Sequence, residues 1–184
     1  MNAVRSIAIA GLLTVLLAAG NSEAQMSRGA NSAVTVGVRQ YNTHPTDPDF
    51  PFADGDLGYN LSYEYHEGNA YWQLGLGYAP HSSATSQVAG IEYEIEYVVT
   101  PQLHLIYQDG LFLMGVGALK HYVNDTEGKH WTSLYWELLL GLQLPISNAL
   151  SIQGLACYQF KSWSDLGDLD TSEIEFGVNL SCKF

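Results

Sequence analysis

The sequence predicts an all-β fold: an eight-stranded antiparallel transmembrane up-and-down β-barrel. Three observations predict it. Apolar and polar residues alternate with a period of two in segment after segment, as extended strands with one greasy and one polar face require. Connections between those segments alternate between long and short. The residues are 47% apolar, with 12 Tyr, 6 Phe, 4 Trp and 18 Gly, yet no stretch approaches the 18 uninterrupted apolar residues of a membrane helix.

The first strand is expected at about Ser32 to Tyr41, where Val34, Val36 and Val38 alternate with Thr35, Gly37 and Arg39. The second, about Leu57 to His66, sets Leu57, Tyr59, Leu61, Tyr63 and Tyr65 against Gly58, Asn60, Ser62, Glu64 and His66. Glu67-Gly68-Asn69 reads as a turn. The third strand sets Trp72, Leu74, Leu76 and Tyr78 against Tyr71, Gln73, Gly75 and Gly77. Residues 88 to 108 read as one long strand bent at Pro101, because the odd-numbered apolar phase runs from Ile91 to Tyr107 across Thr100-Pro101-Gln102 without a slip. Splitting it would give nine strands, against the even count of bacterial single-chain barrels.

Strand five, about Leu111 to His121, sets Phe112, Met114, Val116 and Ala118 against Gly115 and Gly117. Strand six, about Trp131 to Leu144, sets five apolar residues from Leu134 to Leu142 against Tyr135, Glu137, Gly141 and Gln143. Strand seven, about Leu150 to Ser162, sets Ile152, Ala156, Tyr158 and Phe160 against Ser151, Gln153, Gln159 and Lys161. Strand eight runs from Glu173 to Phe184 and alternates throughout.

The long connections are 42 to 56, 80 to 88, 122 to 130 and 163 to 171; the short ones are 67 to 69, 109 to 110 and 145 to 149. Four long loops therefore share one end, and three tight turns share the other with both termini. A soluble sandwich or lipocalin-like barrel also has short alternating strands, but it buries its apolar face. Here the opposite face carries Gly75, Gly77, Gly115, Gly117, Gln73, Gln143 and Gln153, which suits a narrow polar lumen.

Residues 1–24 read as a secretory signal peptide, with Arg5 before an apolar stretch from Ile7 to Ala19 and Ser22-Glu23-Ala24 at the cleavage site. Residues 25–184 then form the barrel. The net charge of -12 argues against nucleic acid and against docking on anionic lipid headgroups through a basic patch. Cys157 falls on the lumen face and Cys182 on the lipid face, so no disulfide is expected between them.

The inward alternation collects a lumen charge cluster of Arg39, Glu92, Glu94, Glu96, Lys161, Glu173 and Glu175. Arg39 and Lys161 are expected to flank Glu173 and Glu175 as cross-strand ion pairs where the barrel closes. Such a network fills the lumen or conducts protons or cations; an eight-stranded barrel is about filled by its own side chains, so no open pore is expected. Asp47, Asp49, Asp54 and Asp56 in the first long loop, with Asp165, Asp168 and Asp170 in the last, form a solvated acidic rim or a weak divalent-cation site; their spacing matches no defined calcium loop. His81 and Ser83 form a His-x-Ser pair at a loop end, too common a pairing to imply catalysis. His104 and His121 point inward as single, unpartnered residues, so neither a resident metal nor any other cofactor is expected.

The N-terminal segment, the final Phe184 and the strand layout resemble the small eight-stranded outer-membrane barrels of Gram-negative bacteria. That resemblance implies export to the outer membrane, with outer-membrane lipid and lipopolysaccharide as surroundings. The second half, Leu103-His-Leu-Ile-Tyr107 and Leu113-Met-Gly-Val-Gly-Ala118, is similar in arrangement to the lipid A 3-O-deacylase (acyloxyacyl hydrolase-like) barrels. Those enzymes carry a His-x-Ser on the lipid face of the penultimate strand. Tyr158 and Phe160 stand at the corresponding positions here, and neither serves as base or nucleophile. The expected role is accordingly structural or surface-binding, with small ligands or divalent cations met at the acidic loops. A lipid A-modifying hydrolase on the same scaffold is the alternative, and a narrow pore the third reading.

Overall fold

A computed structural model describes residues 31–184 apart from 45, 46, 48, 89, 90 and 127; the side-chain surroundings of 83, 85–88, 91–93 and 168 are also outside that description. The predicted signal peptide, the Ser83 half of the His-x-Ser pair, the Glu92 side chain and the Asp168 side chain thus lie outside the described residues.

Nine strands run in chain order: β1 (Ser32–Gln40), β2 (Leu57–Glu67), β3 (Ala70–Ala79), β4 (Ser82–Val88), β5 (Ile91–Asp109), β6 (Phe112–Asp125), β7 (Lys129–Pro145), β8 (Leu150–Phe160) and β9 (Glu175–Lys183). All pairings are antiparallel, in the order β3-β2-β1-β9-β8-β7-β6-β5-β4, and β3 also pairs with β5. That last pairing closes the sheet. β3 and β4 lie end to end along β5, β3 on Val98–Tyr107 and β4 on Ile91–Ile95, so they form one stave and the barrel has eight. The first and last strands meet in an eight-pair ladder from Ala33↔Lys183 to Gln40↔Phe176. Closure removes the exposed edges that an open sheet presents.

The alternation decides which way each face looks. Leu57, Tyr59, Leu61, Tyr63 and Tyr65 of β2, Trp72, Leu74 and Leu76 of β3, and Leu138's neighbours Leu140 and Leu142 of β7 face outward and exposed, while their even- or odd-numbered partners are buried. An apolar exterior of this extent, around a buried set containing Thr35, Ser62, Glu64, Gln73, Gln102, Glu137, Gln153 and Asn179, inverts the soluble arrangement and suits hydrocarbon outside. Inside, glycine makes room for large neighbours. A Cβ on Gly58 would stand 2.7 Å from the Tyr41 ring, and one on Gly117 would overlap His104. Small-against-large pairing across adjacent strands is how so narrow a lumen closes on itself.

Residues 91–109 form one strand, as the unbroken pattern predicts. Pro101 lies opposite Leu76 of β3 and forms no pair with β6, whose ladder passes from Val99↔Tyr122 to Gln102↔Leu119 in unchanged register. A residue without an N–H leaves a local gap of this kind. The phase slip comes instead at a bulge between Ile95 and Tyr97, which turns both Ile95 and Val98 inward.

Two expected loops are strand. Residues 82–88 continue the third stave as β4, and the 122–130 connection shrinks to a turn at 126–128 because β6 and β7 extend to Asp125 and from Lys129. Turn composition misled here: Ser, Thr and Asn at 82–86 and 124 read as loop, yet these residues extend the sheet as β4 and the end of β6. The final strand begins at Glu175, after 3-10 turns at Trp163–Asp168 and Thr171–Glu173.

Leu140 lies at mid-strand on β7 and is 63% exposed. Leu140→Arg is predicted to destabilise the barrel in lipid vesicles by about 2–4 kcal/mol, read from denaturant unfolding. A change within about 0.5 kcal/mol, the usual effect of a water-facing substitution, would contradict a hydrocarbon environment.

Candidate functional site

The inward side chains form two polar networks and a plug. In the network nearer the termini, the buried Glu64 carboxylate accepts hydrogen bonds from Thr35 Oγ1 (2.7 Å) and Gln73 Nε2 (3.1 Å), and His66 Nε2 lies 3.0 Å from its other oxygen. Ser181, Gln153, Asn179 and Asn60 extend the chain of contacts around β9, β8 and β2.

The second network centres on Arg39 of β1. Its Nε donates to Glu175 of β9 at 2.6 Å, and its Nη2 donates to Glu137 of β7 at 2.5 Å. Both carboxylates are fully buried. Gln159 donates to Glu175 as well, and its carbonyl lies 3.1 Å from His121 Nε2; Thr100 lies 2.8 Å from His121 Nδ1. His104 Nε2 stands 2.9 Å from Glu137 Oε1, outside hydrogen-bond alignment. Guanidinium is the residue type for this position, because its fork reaches two carboxylates at once.

Over this network lies the loop between β1 and β2. Phe50 and Phe52 are buried, Phe52 stacks on Tyr41 with ring centroids 3.7 Å apart, and both rings meet His121 edge-on at 5.8 and 5.2 Å. They join Ala79, Ile95, Val98, Leu119, Val123 and Tyr135 in one apolar cluster at the loop end. Polar contacts pin the loop: Ser82 Oγ donates to Pro51 O (2.7 Å) and Asp56 (2.8 Å), Asn42 Nδ2 donates to Ile174 O (2.6 Å), and Lys161 Nζ meets Asp47 at 2.5 Å and Asp49 at 3.2 Å. Partial burial lowers the Lys161 ammonium while Asp47 and Asp49 raise it, and the raising effect prevails. The Lys161 ammonium therefore stays charged through neutral pH and loses its proton only in alkali.

No family model matches the chain, and no curated protein matches it. Solved structures do. The N-terminal barrel domain of Pseudomonas aeruginosa OprF matches with 10% identity and a TM-score of 0.52, over 85% of this chain and 100% of that one. Neisserial surface protein A matches with 11% identity and a TM-score of 0.55, over the same shares. The fold is that of the small outer-membrane β-barrels.

Within this outer-membrane barrel fold, the structure brings together part of the predicted cluster. Arg39 and Glu175 pair as expected at the seam between β1 and β9. Glu173 is buried, 3.6 Å from His44 Nδ1, and has neither basic partner predicted for it. Lys161 turns away from Glu173 and Glu175 to the loop aspartates. Glu94 and Glu96 are exposed rather than in the lumen, because the bulge at Ile95 shifts the face; Glu96 accepts from Asn124 at 2.5 Å. His104 and His121, expected to be unpartnered, both belong to the Arg39 network. Glu137 and Glu64, the two carboxylates missing from the predicted cluster, stand in the sequence among small and amide residues on the polar faces of their strands.

Three of the described rim acids make local contacts. Asp54 accepts from the Thr43 N–H, Asp165 completes a capping box with Ser162, and Asp170 caps the second 3-10 turn through Ser172. The backbone bonds from Thr43 and Ser172 hold Asp54 and Asp170 below the usual carboxylate range. Among the described residues no group of three His, Cys, Asp or Glu is placed to hold a metal ion. Cys157 and Cys182 are both free, and both are buried. Tyr158 and Phe160, where the deacylase barrels carry His-x-Ser, are buried, with Trp163 5.1 Å from Phe160.

Arg39→Met strands two buried carboxylates and is predicted to cost about 3–5 kcal/mol of unfolding free energy, whereas Arg39→Met with Glu137→Gln and Glu175→Gln recovers most of it. Equal losses in the single and triple variants would show that Arg39 acts through packing alone. Gly117→Val, which drives a methyl into His104, is predicted to cost about 1–3 kcal/mol by the same measurement.

Proposed function

We propose that the protein is an outer-membrane barrel of a Gram-negative envelope, exported by the segment 1–24, with a structural or surface-binding role through its acidic extracellular loops and no open pore. The observation that carries the reading is the lumen itself. Arg39, Glu137 and Glu175 bridge β1, β7 and β9 across it, and Phe50 and Phe52 fill the mouth above. Water-filled conduction needs a continuous polar path, and an apolar cluster of Tyr71, Ile106, Leu113, Leu139, Leu155 and Cys157 adds a second obstruction. The likeness to other outer-membrane barrels supports the location, and the outward apolar band supports insertion in lipid.

The acidic character of the loops supports contact with cationic groups at the cell surface, by charge complementarity. A hydrolase needs an activated nucleophile beside a base, and the outward face of β8 offers tyrosine and phenylalanine instead.

Planar-bilayer recording from the purified full chain tests the reading: no stepwise conductance is expected at neutral pH. Reproducible single-channel steps would overturn it. A parallel incubation with lipopolysaccharide is expected to leave the lipid A mass unchanged, and loss of one acyl chain would establish the hydrolase instead.

A further inference from the structure

The upper lumen buries more negative charge than positive. Glu137, Glu173 and Glu175 are all buried, and Arg39 serves only Glu137 and Glu175. Within 4.0 Å, Glu173 meets no guanidinium or ammonium among the described residues. What faces it is His44, from the loop between β1 and β2. The buried His44 ring stands between two carboxylates: Nδ1 lies 3.6 Å from Glu173 Oε2, and Nε2 lies 3.7 Å from Glu175 Oε1. Both gaps are too long for a hydrogen bond, and Nε2 has no hydrogen-bond partner among the described residues. A neutral imidazole gains little at this spacing, whereas an imidazolium gains the field of both carboxylates.

Other titratable groups surround the ring. Arg39 and Tyr41 come from β1, and Glu137 from β7. His121 of β6 faces His44 but has both ring nitrogens engaged, by Thr100 and Gln159. His104 of β5 stands against Glu137. Tyr158 of β8 lies 6.3 Å from His44 between ring centroids and hydrogen-bonds Glu173, while Lys161 is taken up by Asp47 and Asp49. Burial and Arg39 oppose a charge on His44; three buried carboxylates against one guanidinium favour it.

His44 is also tied to the aromatic plug. Its carbonyl accepts from the Asp47 N–H at 2.9 Å, and the Asp47 carbonyl accepts from the Phe50 N–H at 3.1 Å. The Phe50 ring packs on His44 with centroids 3.9 Å apart. Whatever holds His44 to the wall therefore holds Phe50 in the mouth, and Phe52 beside it.

We propose that His44 is an acid-strengthened latch: protonated, it pairs with Glu173 and Glu175 and clamps the loop that carries Phe50 and Phe52 over the lumen. As the pH rises and the imidazolium loses its proton, the pairing is lost, and the loop keeps only its apolar seat and its polar pins, the Lys161 ion pairs among them. The mouth closes hardest in mild acid, before the carboxylates themselves take up protons. The inference goes beyond the sealed barrel by making the seal pH-dependent, and it requires no ligand.

Hydrogen–deuterium exchange of the full chain in mild detergent tests it, read on the peptide spanning 42–56 at about pH 5 and about pH 8, with labelling times scaled for intrinsic exchange. The N–H groups of Asp47, Phe50 and Asp56 are hydrogen-bonded inside this loop and report its docking. In the wild type, protection of the peptide is expected to be at least about threefold higher at the lower pH. His44→Gln is expected to show equal protection at both values, and Glu173→Gln less than about half the wild-type rise. Heat-modifiable electrophoretic mobility confirms that each variant is folded. Wild-type protection that does not rise in acid overturns the proposal whatever the variants do. A full rise retained in folded His44→Gln or Glu173→Gln overturns it as well, and assigns the pH dependence to another group such as His104.

Discussion

Closure governs this molecule. Once β3 pairs with β5 and β1 with β9, every strand but the short β4 has neighbours on both sides, and side chains have only two places to go: outward, or into the narrow lumen. Hydrocarbon outside selects the apolar face for the exterior. Many of the remaining polar residues then pair with one another across the lumen, because a buried polar group costs free energy unless it is hydrogen-bonded. The Glu64 and Arg39 networks are the consequence, each carboxylate surrounded by amide, hydroxyl, imidazole or guanidinium donors. Glycines at 58 and 117 are the steric counterpart, giving up their own volume to Tyr41 and His104.

The walls are unequal in height. β5 has 19 residues and β7 has 17, while β1 and β9 have 9 each. The loop after β1 leaves from the low side and leans its Phe50 and Phe52 against the inner surface of the high side, at Ile95, Val98, Leu119 and Val123. This explains why apolar residues appear inside the upper strands where a polar lumen is otherwise the rule. They receive Phe50 and Phe52 of the loop.

Most of the architecture was legible in the sequence because the period of two survives in nearly every strand, and because a phase carried through Pro101 argues against a turn there. What the sequence hid were features that alternate with nothing. A bulge at Ile95 inverts the face of Glu94 and Glu96 with no mark in composition. Polar strand segments such as 82–88 look like loop by composition alone. Lys161, expected inside the seventh strand, follows its last residue instead, and its long side chain meets the loop acids Asp47 and Asp49. The plug could have been suspected: Phe50-Pro51-Phe52 is a greasy tripeptide inside an acidic loop, and such residues need cover.

The three groups of the central ion cluster come from the first strand, the seventh and the last, separated by 98 and 136 residues along the chain. No partial assembly can neutralise them. The β1–β9 ladder is what carries the guanidinium to both carboxylates, so the ion cluster is complete only in the closed barrel.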